Sequence, residues 1–257
     1  MSRTDDDNRD VTEIVGATAL GVAWARARES RSAQPLFTDP HAQQFIDAAA
    51  EQGWRPPSGE IGDYAAARTK WFDEFFIAAG ANGVEQSVIL AAGLDARAWR
   101  LPWTSNSTVF EIDRPQVLAF KADTLRSHGV EPAARYTAVA VDLQQDWPKA
   151  LQDSGFNPSE PTAWSAEGLL PHLPAAGQDL LFERVNALSA PGSRITVEAF
   201  GPEAPEGEER ADVADWLANH GWRTTVTPAQ NLITHFHREI PEAMPRTEFV
   251  SAEFLGC

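Results

Sequence analysis

Ser87-Val88-Ile89-Leu90-Ala91-Ala92-Gly93-Leu94-Asp95 is the stretch on which the fold turns. A short run of aliphatic residues that stops at a glycine is the pattern of a strand buried on both faces of a parallel sheet. Four similar runs follow, at residues 108–113, 136–142, 161–167 and 193–200. Between and after them the apolar spacing is helical, over 115–128, 146–154, 174–190 and 207–220. Strands that alternate with helices imply βαβ units, right-handed crossovers and a sheet covered on both faces. The class is therefore α/β, with a Rossmann-like, mostly parallel, doubly wound sheet. Past Thr224 the pattern is irregular, and its apolar residues supply one or two edge strands.

Upstream of Ser87 the period is helical throughout. Val15, Ala19, Val22 and Ala23 mark a helix over residues 11–29, which Pro35-Leu36-Phe37-Thr38-Asp39-Pro40 ends. Thr38 or Asp39 is suited to cap the next helix and Pro40 to open it, and that helix carries Phe45, Ile46 and Ala49. Residues 53–59 form a loop, and a helix over 63–79 puts Trp71, Phe72, Phe75 and Phe76 on its inner side. Residues 1–82 thus form an N-terminal helical cap or lid, and 83–257 one compact sheet domain. Residues 1–10 are expected to fray, and the acidic stretch 201–210 is expected to be a solvated linker.

The chain has 257 residues and a formal net charge of −16. Phosphate backbones and anionic lipid surfaces both require basic surface, so nucleic-acid and membrane partners are excluded as expectations. The only cysteine, Cys257, cannot form an internal disulfide or a cysteine metal cluster. No apolar run is long enough to span a membrane, and the acidic start lacks a secretory pattern, which places the protein in the cytoplasm.

Ligands of open parallel sheets bind beyond the carboxyl ends of the strands. Those ends offer Ala92-Gly93-Leu94-Asp95, Asp113, Asp142-Leu143 and Glu167-Gly168. Gly93 lets a ligand approach the backbone. Asp113, twenty residues later, is placed for a ribose diol, and the Asp142-Leu143 pair suits an adenine ring. A pyrophosphate needs a glycine-rich turn, and carboxylates at successive strand ends repel phosphates. They fit a ligand with hydroxyls, an amino group and a sulfonium cation, which describes S-adenosylmethionine.

Residues 87–103, ending Gly93-Leu94-Asp95-Ala96-Arg97-Ala98-Trp99-Arg100-Leu101-Pro102-Trp103, resemble the VVLGAGLDTRAYRLPW signature of leucine carboxyl methyltransferase-like, S-adenosylmethionine-dependent methyltransferases. Val109-Phe110-Glu111-Ile112-Asp113-Arg114-Pro115, Asp146-Trp147-Pro148 and Ala67-Arg68-Thr69-Lys70-Trp71-Phe72-Asp73 resemble further motifs of that family, and residues 1–50, from Arg3-Thr4-Asp5-Asp6-Asp7 through Leu36-Phe37-Thr38-Asp39-Pro40, resemble its actinobacterial branch. The resemblance implies the class I methyltransferase fold and a cofactor site. In it, Arg68 would offer a bidentate fork to the methionine carboxylate, with Ala92 and Gly93 beneath the methionine and Asp95 in the same turn. Asp113 would hold the ribose, Asp142 and Leu143 would flank adenine, and Glu167 would lie near the amino group and the acceptor. Two departures stand out. Ala91 replaces the first glycine of the turn, adding a methyl, and Pro171-His172 replaces Met-Tyr in the GLLMYLP motif.

Methyl transfer from a sulfonium is an in-line displacement, so the protein mainly aligns the reactants and excludes water. The expected activity is O-methylation of a carboxyl or hydroxyl group of a small molecule. A hydroxyl needs a base, for which His172 and Glu167 are the candidates. The alternative is a non-catalytic or regulatory paralogue that keeps the fold and the cofactor. His235-Phe236-His237, read as a strand, would place two metal ligands on one side but offers no third, so no metal is assigned. Trp24, Trp54, Tyr64 and Trp71 are candidate linings of the acceptor pocket. The oligomeric state is not readable.

Overall fold

The computed structural model describes residues 11–56, 63–200, 211–240 and 246–256. The start expected to fray, the stretch 201–210 expected to be a linker, part of the expected loop 53–59 and Cys257 lie outside these residues. Seven strands form one sheet: β1 (Gln86–Leu90), β2 (Thr108–Asp113), β3 (Arg135–Ala140), β4 (Thr162–Ala166), β5 (Arg194–Phe200), β6 (Trp222–Pro228) and β7 (Thr247–Phe254). Their spatial order is β3-β2-β1-β4-β5-β7-β6. The first five run parallel, and β7 runs antiparallel to both β5 and β6. The sheet is α/β and mostly parallel, as its alternation implied.

The order in which strands are added reverses at β1 and β4, which pair parallel with Leu90 beside Ala166, and this switch opens a crevice at the carboxyl ends. Every residue of β1 and of β4 is buried. Their side chains alternate between two packed faces. Val88, Leu90, Phe110 and Trp164 join Trp147 and Leu181 on one face, while Ile89, Val109 and Ala163 join Phe76 and Leu101 on the other. At roughly 25 cal/mol per Å² of apolar area removed from water, a sheet covered on both faces is the main source of stability.

Ahead of β1 lie α1 (Val11–Val15), α2 (Ala17–Glu29), α3 (Ala42–Glu51) and α4 (Asp63–Ala81). The single helix expected over 11–29 is two, broken at Gly16, whose φ of +93° is outside the helical region. Asp39 performs the capping, its Oδ1 accepting from the amides of His41 and Ala42 at 3.0 Å. Phe72 and Phe76 of α4 are buried as expected, but Trp71 and Phe75 only partly. Between the strands come α5 (Arg97–Arg100), α6 (Pro115–Ser127), α7 (Trp147–Asp153) and α8 (Ala175–Ala187), followed by α9 (Val213–Asn219) and α10 (Ala229–His235). Pro115 opens α6, and Asp146 caps α7 by accepting from the Lys149 amide.

The tail beyond Thr224 does supply two strands, but only β6 is an edge, because β7 is inserted between β5 and β6. His235 is the last residue of α10, not part of a strand, and His237 follows with φ +56°. The two imidazoles therefore do not share a strand face. Among the described residues no helix is long and apolar enough to cross a membrane.

Candidate active site

One cavity of about 470 Å³ sits at the crevice between β1 and β4. This lies within the range of small-molecule sites. All nine residues singled out from the sequence line it: Arg68, Ala92, Gly93, Asp95, Asp113, Asp142, Leu143, Glu167 and His172. They come from α4, from the turn after β1, and from the ends of β2, β3 and β4.

The turn after β1 is built on two left-handed residues, Ala91 at φ +51° and Gly93 at φ +50°. The departure at Ala91 thus carries a conformational cost, not only a methyl's worth of space. Asp113 closes the turn from the neighbouring strand. Its Oδ2 accepts from the Gly93 amide and its Oδ1 from the Arg114 amide, each at 2.7 Å. Each carboxylate oxygen keeps a lone pair for a ribose hydroxyl. Asp142 accepts from the Gln144 amide at 2.9 Å, which fixes the carboxylate beside the partly exposed Leu143.

Asp95 and Glu167 reach the cavity already neutralised. Both Asp95 oxygens are held by Arg97, Oδ1 by its amide at 2.6 Å and Oδ2 by its guanidinium. Arg97 Nη1 also donates to Glu167 Oε2 at 2.7 Å, and its Nε to Asp73 Oδ1 at 2.7 Å. Arg68 pairs with Glu167 through Nε at 3.0 Å and with Glu198 through Nη1 at 3.1 Å. Burial by itself would lift the carboxyls of Asp95 and Glu167. The Arg97 charge outweighs it, with help from Arg26 and Lys121 at Asp95 and from Arg68 at Glu167, and both lie below the usual carboxylate range. Burial opposes the Arg97 and Arg68 charges too, yet their carboxylate partners push both further above the ordinary guanidinium value.

Arg68 is therefore less free than a bidentate fork requires. Among the described residues its hydrogen bonds run from Nη1 to Glu198, its Nε meets Glu167 as an ion contact at 3.0 Å, and its Nη2 makes no hydrogen bond. His172 ends a short 3-10 turn, Leu170–His172, and stands exposed at the cavity rim. Its ring makes no hydrogen bond among the described residues, so it is free to meet an acceptor.

The far wall comes from the N-terminal helices, through Val15, Gly16, Thr18, Ala19 and Val22. A Cβ built on Gly93 would stand 3.4 Å from the Ala19 Cβ, so α2 rests directly over the turn. The aromatic residues expected to line an acceptor pocket pack elsewhere. Trp24 and Trp54 join Val11, Phe45 and Leu94, and Tyr64 and Trp71 surround Phe249. Small aliphatic side chains take their place because helix and turn meet too closely for rings.

Four residues of the site escaped the sequence reading. Arg26 lines the cavity, bound through Nε to Asp39 at 3.0 Å and through Nη2 to the Leu94 carbonyl at 2.6 Å. Asp73, Arg97 and Glu198 form the layer behind it. Glu198 lies inside the buried stretch of β5 between Val197 and Ala199, and a charge at such a position requires a partner, which was the available signal.

The cavity passes a chemical test for S-adenosylmethionine. It combines carboxylate acceptors for hydroxyl and amino groups, an open guanidinium nitrogen for a carboxylate, and a left-handed turn at Gly93 over which Ala19 packs closely.

Comparison with known proteins agrees. The leucine carboxyl methyltransferase family profile matches residues 19–186. A relative from Mycolicibacterium paratuberculosis, provisionally named an S-adenosyl-L-methionine-dependent methyltransferase, is 47% identical over 311 aligned positions, covering 98% of this chain and 97% of its own. Those positions outnumber the 257 residues here, so that relative has interior residues with no counterpart in this chain. Among solved structures, a protein of Thermobifida fusca provisionally titled a methyltransferase superposes with a TM-score of 0.53 at 14% identity, over 90% of this chain and 94% of that one. The S-adenosylhomocysteine complex of magnesium protoporphyrin IX methyltransferase from Synechocystis gives 0.51 at 10% identity, over 95% and 97%.

Proposed function

The chain belongs to the leucine carboxyl methyltransferase family and is an S-adenosylmethionine-dependent methyltransferase; from that premise we propose that it methylates an oxygen, of a carboxyl or hydroxyl group, on a small molecule. The observation that carries this reading is the convergence of every strand-end residue on one cavity of small-molecule size. A cytoplasmic setting belongs to the same reading, supported by the acidic chain and its lack, among the described residues, of a membrane-spanning helix.

The bound cofactor supplies an electrophilic methyl group on a sulfonium, a good leaving group. The chain's own residues then have three tasks. Asp113, with Asp142 and Leu143, would hold the nucleoside end; Arg68 would meet the amino-acid carboxylate, and Glu167 the ammonium. Helix α2 covers the turn at Gly93 and keeps water from the reacting centre. Glu167 is held as an anion by two arginines, which suits it to bind a cation and leaves it a poor proton acceptor. His172 is the better base for a hydroxyl, and a carboxylate acceptor needs none.

The test has two stages. Calorimetry with S-adenosylhomocysteine is expected to show binding that Arg68→Ala and Asp113→Ala weaken at least about tenfold, the scale of a lost hydrogen bond to a charged group. Absence of binding by the unaltered chain would overturn the assignment. Methyl release from S-adenosylmethionine is then screened against small carboxylic acids and phenols. A carboxylic acceptor leaves His172→Ala active, and a phenolic one does not. Transfer to nitrogen or carbon alone would refute O-methylation.

A further inference from the structure

Glu198 is fully buried on β5, one strand beyond the crevice, and it does not line the cavity. Its carboxylate nevertheless gathers groups from two other elements. Oε2 accepts from the Gly168 amide at 2.7 Å, in the turn after β4, and from Arg68 Nη1 at 3.1 Å. Oε1 accepts from the same Nη1 at 3.2 Å and from the Tyr64 hydroxyl. Burial of the Tyr64 phenol and the adjacent Glu198 charge raise its pKa far above the ordinary value, so the phenol stays a donor. Arg68 and Gly168 both face the cavity. Among the described residues, Glu198 is the side chain that hydrogen-bonds to both.

We infer that Glu198 is a positioning residue for the amino-acid end of the cofactor, acting through Arg68 and Gly168; this rests on the assignment of Arg68 proposed above. The arrangement has a clear logic. Arg68 Nε makes an ion contact with Glu167 and Nη1 hydrogen-bonds Glu198, which restrains the guanidinium from two sides and leaves Nη2 without a hydrogen bond among the described residues. The Gly168 amide is held by the same carboxylate, so β4's turn cannot move independently of the arginine. A floor assembled this way reads the amino-acid group and has no contact with the nucleoside, which is held by Asp113 and Asp142 at the other strand ends.

Glutamine at position 198 keeps the shape but offers one acceptor oxygen where the carboxylate has two, and its amide nitrogen would face a donor. Either Gly168 or the Tyr64–Arg68 pair then loses its acceptor. The effect is read with two ligands: S-adenosylhomocysteine, and 5′-methylthioadenosine, which has the nucleoside and thioether but no amino-acid group. Glu198→Gln is expected to lower the affinity for S-adenosylhomocysteine about tenfold, the range of a charged hydrogen bond, and to leave methylthioadenosine within about twofold. Tyr64→Phe removes one donor without removing the charge, and serves if the first variant unfolds; its expected loss is selective in the same way and about threefold.

Equal losses for both ligands would mean that Glu198 merely supports the fold and would overturn the inference. So would unchanged affinity, and so would a gain for S-adenosylhomocysteine, which would make Glu198 a competitor for Arg68. Binding of neither ligand by the unaltered chain would instead remove the functional assignment itself, and this inference with it.

Discussion

The carboxylate of Asp113, at the end of one strand, takes the amide hydrogen of Gly93 at the end of the next, at 2.7 Å. The group placed to hold the ribose also holds the turn on which the methionine lies. Asp113→Ala should therefore lose stability, by about 1–3 kcal/mol for the freed amide, as well as cofactor affinity. Asp113→Asn keeps one acceptor and should recover more of the melting temperature than of the affinity. Paired thermal melts and calorimetry check this. An Asp113→Ala protein of unchanged melting temperature would separate the two roles.

Ala91 and Gly93 have the same backbone sign but different side chains. A left-handed L-residue costs roughly 1–2 kcal/mol, and glycine's extra freedom when unfolded returns about half of it. Ala91→Gly should stabilise by about 0.5–1 kcal/mol in urea unfolding. Gly93→Ala should destabilise by about 1–2 kcal/mol, and Ala19→Gly should not restore it, because φ rather than contact is the larger obstacle.

Lys121 and Glu111 are both fully buried, 2.5 Å apart, and Lys121 also donates to the Asp95 carbonyl at 3.0 Å. Removing one partner of a buried pair leaves an uncompensated charge. Lys121→Met should cost about 3–5 kcal/mol, and Glu111→Gln added to it should return a large part. A double variant no better than the single one would show that Lys121 acts mainly through Asp95.

The acid limb of stability follows from Asp95 and Glu167. Their folded values lie below the ordinary carboxylate values near 4, so the stability they add is present above that range and is lost as pH falls through the folded values. Glu111 runs the other way. Burial lifts its carboxyl despite Lys121, so charging it as pH rises costs stability. Urea midpoints measured from pH 3 to 7 should fall below about pH 4, and Glu167→Gln should flatten that fall.

How far the sequence reached depended on what each residue has for neighbours. β1, β2 and β4 are short apolar-rich runs between turn residues, and their bounds agree with the structure to within one or two positions. The insertion of β7 between β5 and β6 rests on pairings such as Val197 with Val250, far apart in the chain and without a local signal. The cavity's carboxylates were legible because a strand end fixes where they point. Arg97, Asp73 and Arg26 were not, since on a helical pattern a buried arginine and a solvated one look alike. Only the fold brings Asp73 of α4 to Arg97 and Arg100.

Helix α2 rests on the glycine turn through Ala19, and this has a practical bearing on how the protein can be divided. A chain begun at residue 83 would keep every strand, along with Asp113, Asp142 and Glu167, yet it would lose Arg68 and a whole wall of the cavity. The sheet by itself is thus half a binding site. Fusions, grafts and domain exchanges that carry the sheet must carry the first four helices with it.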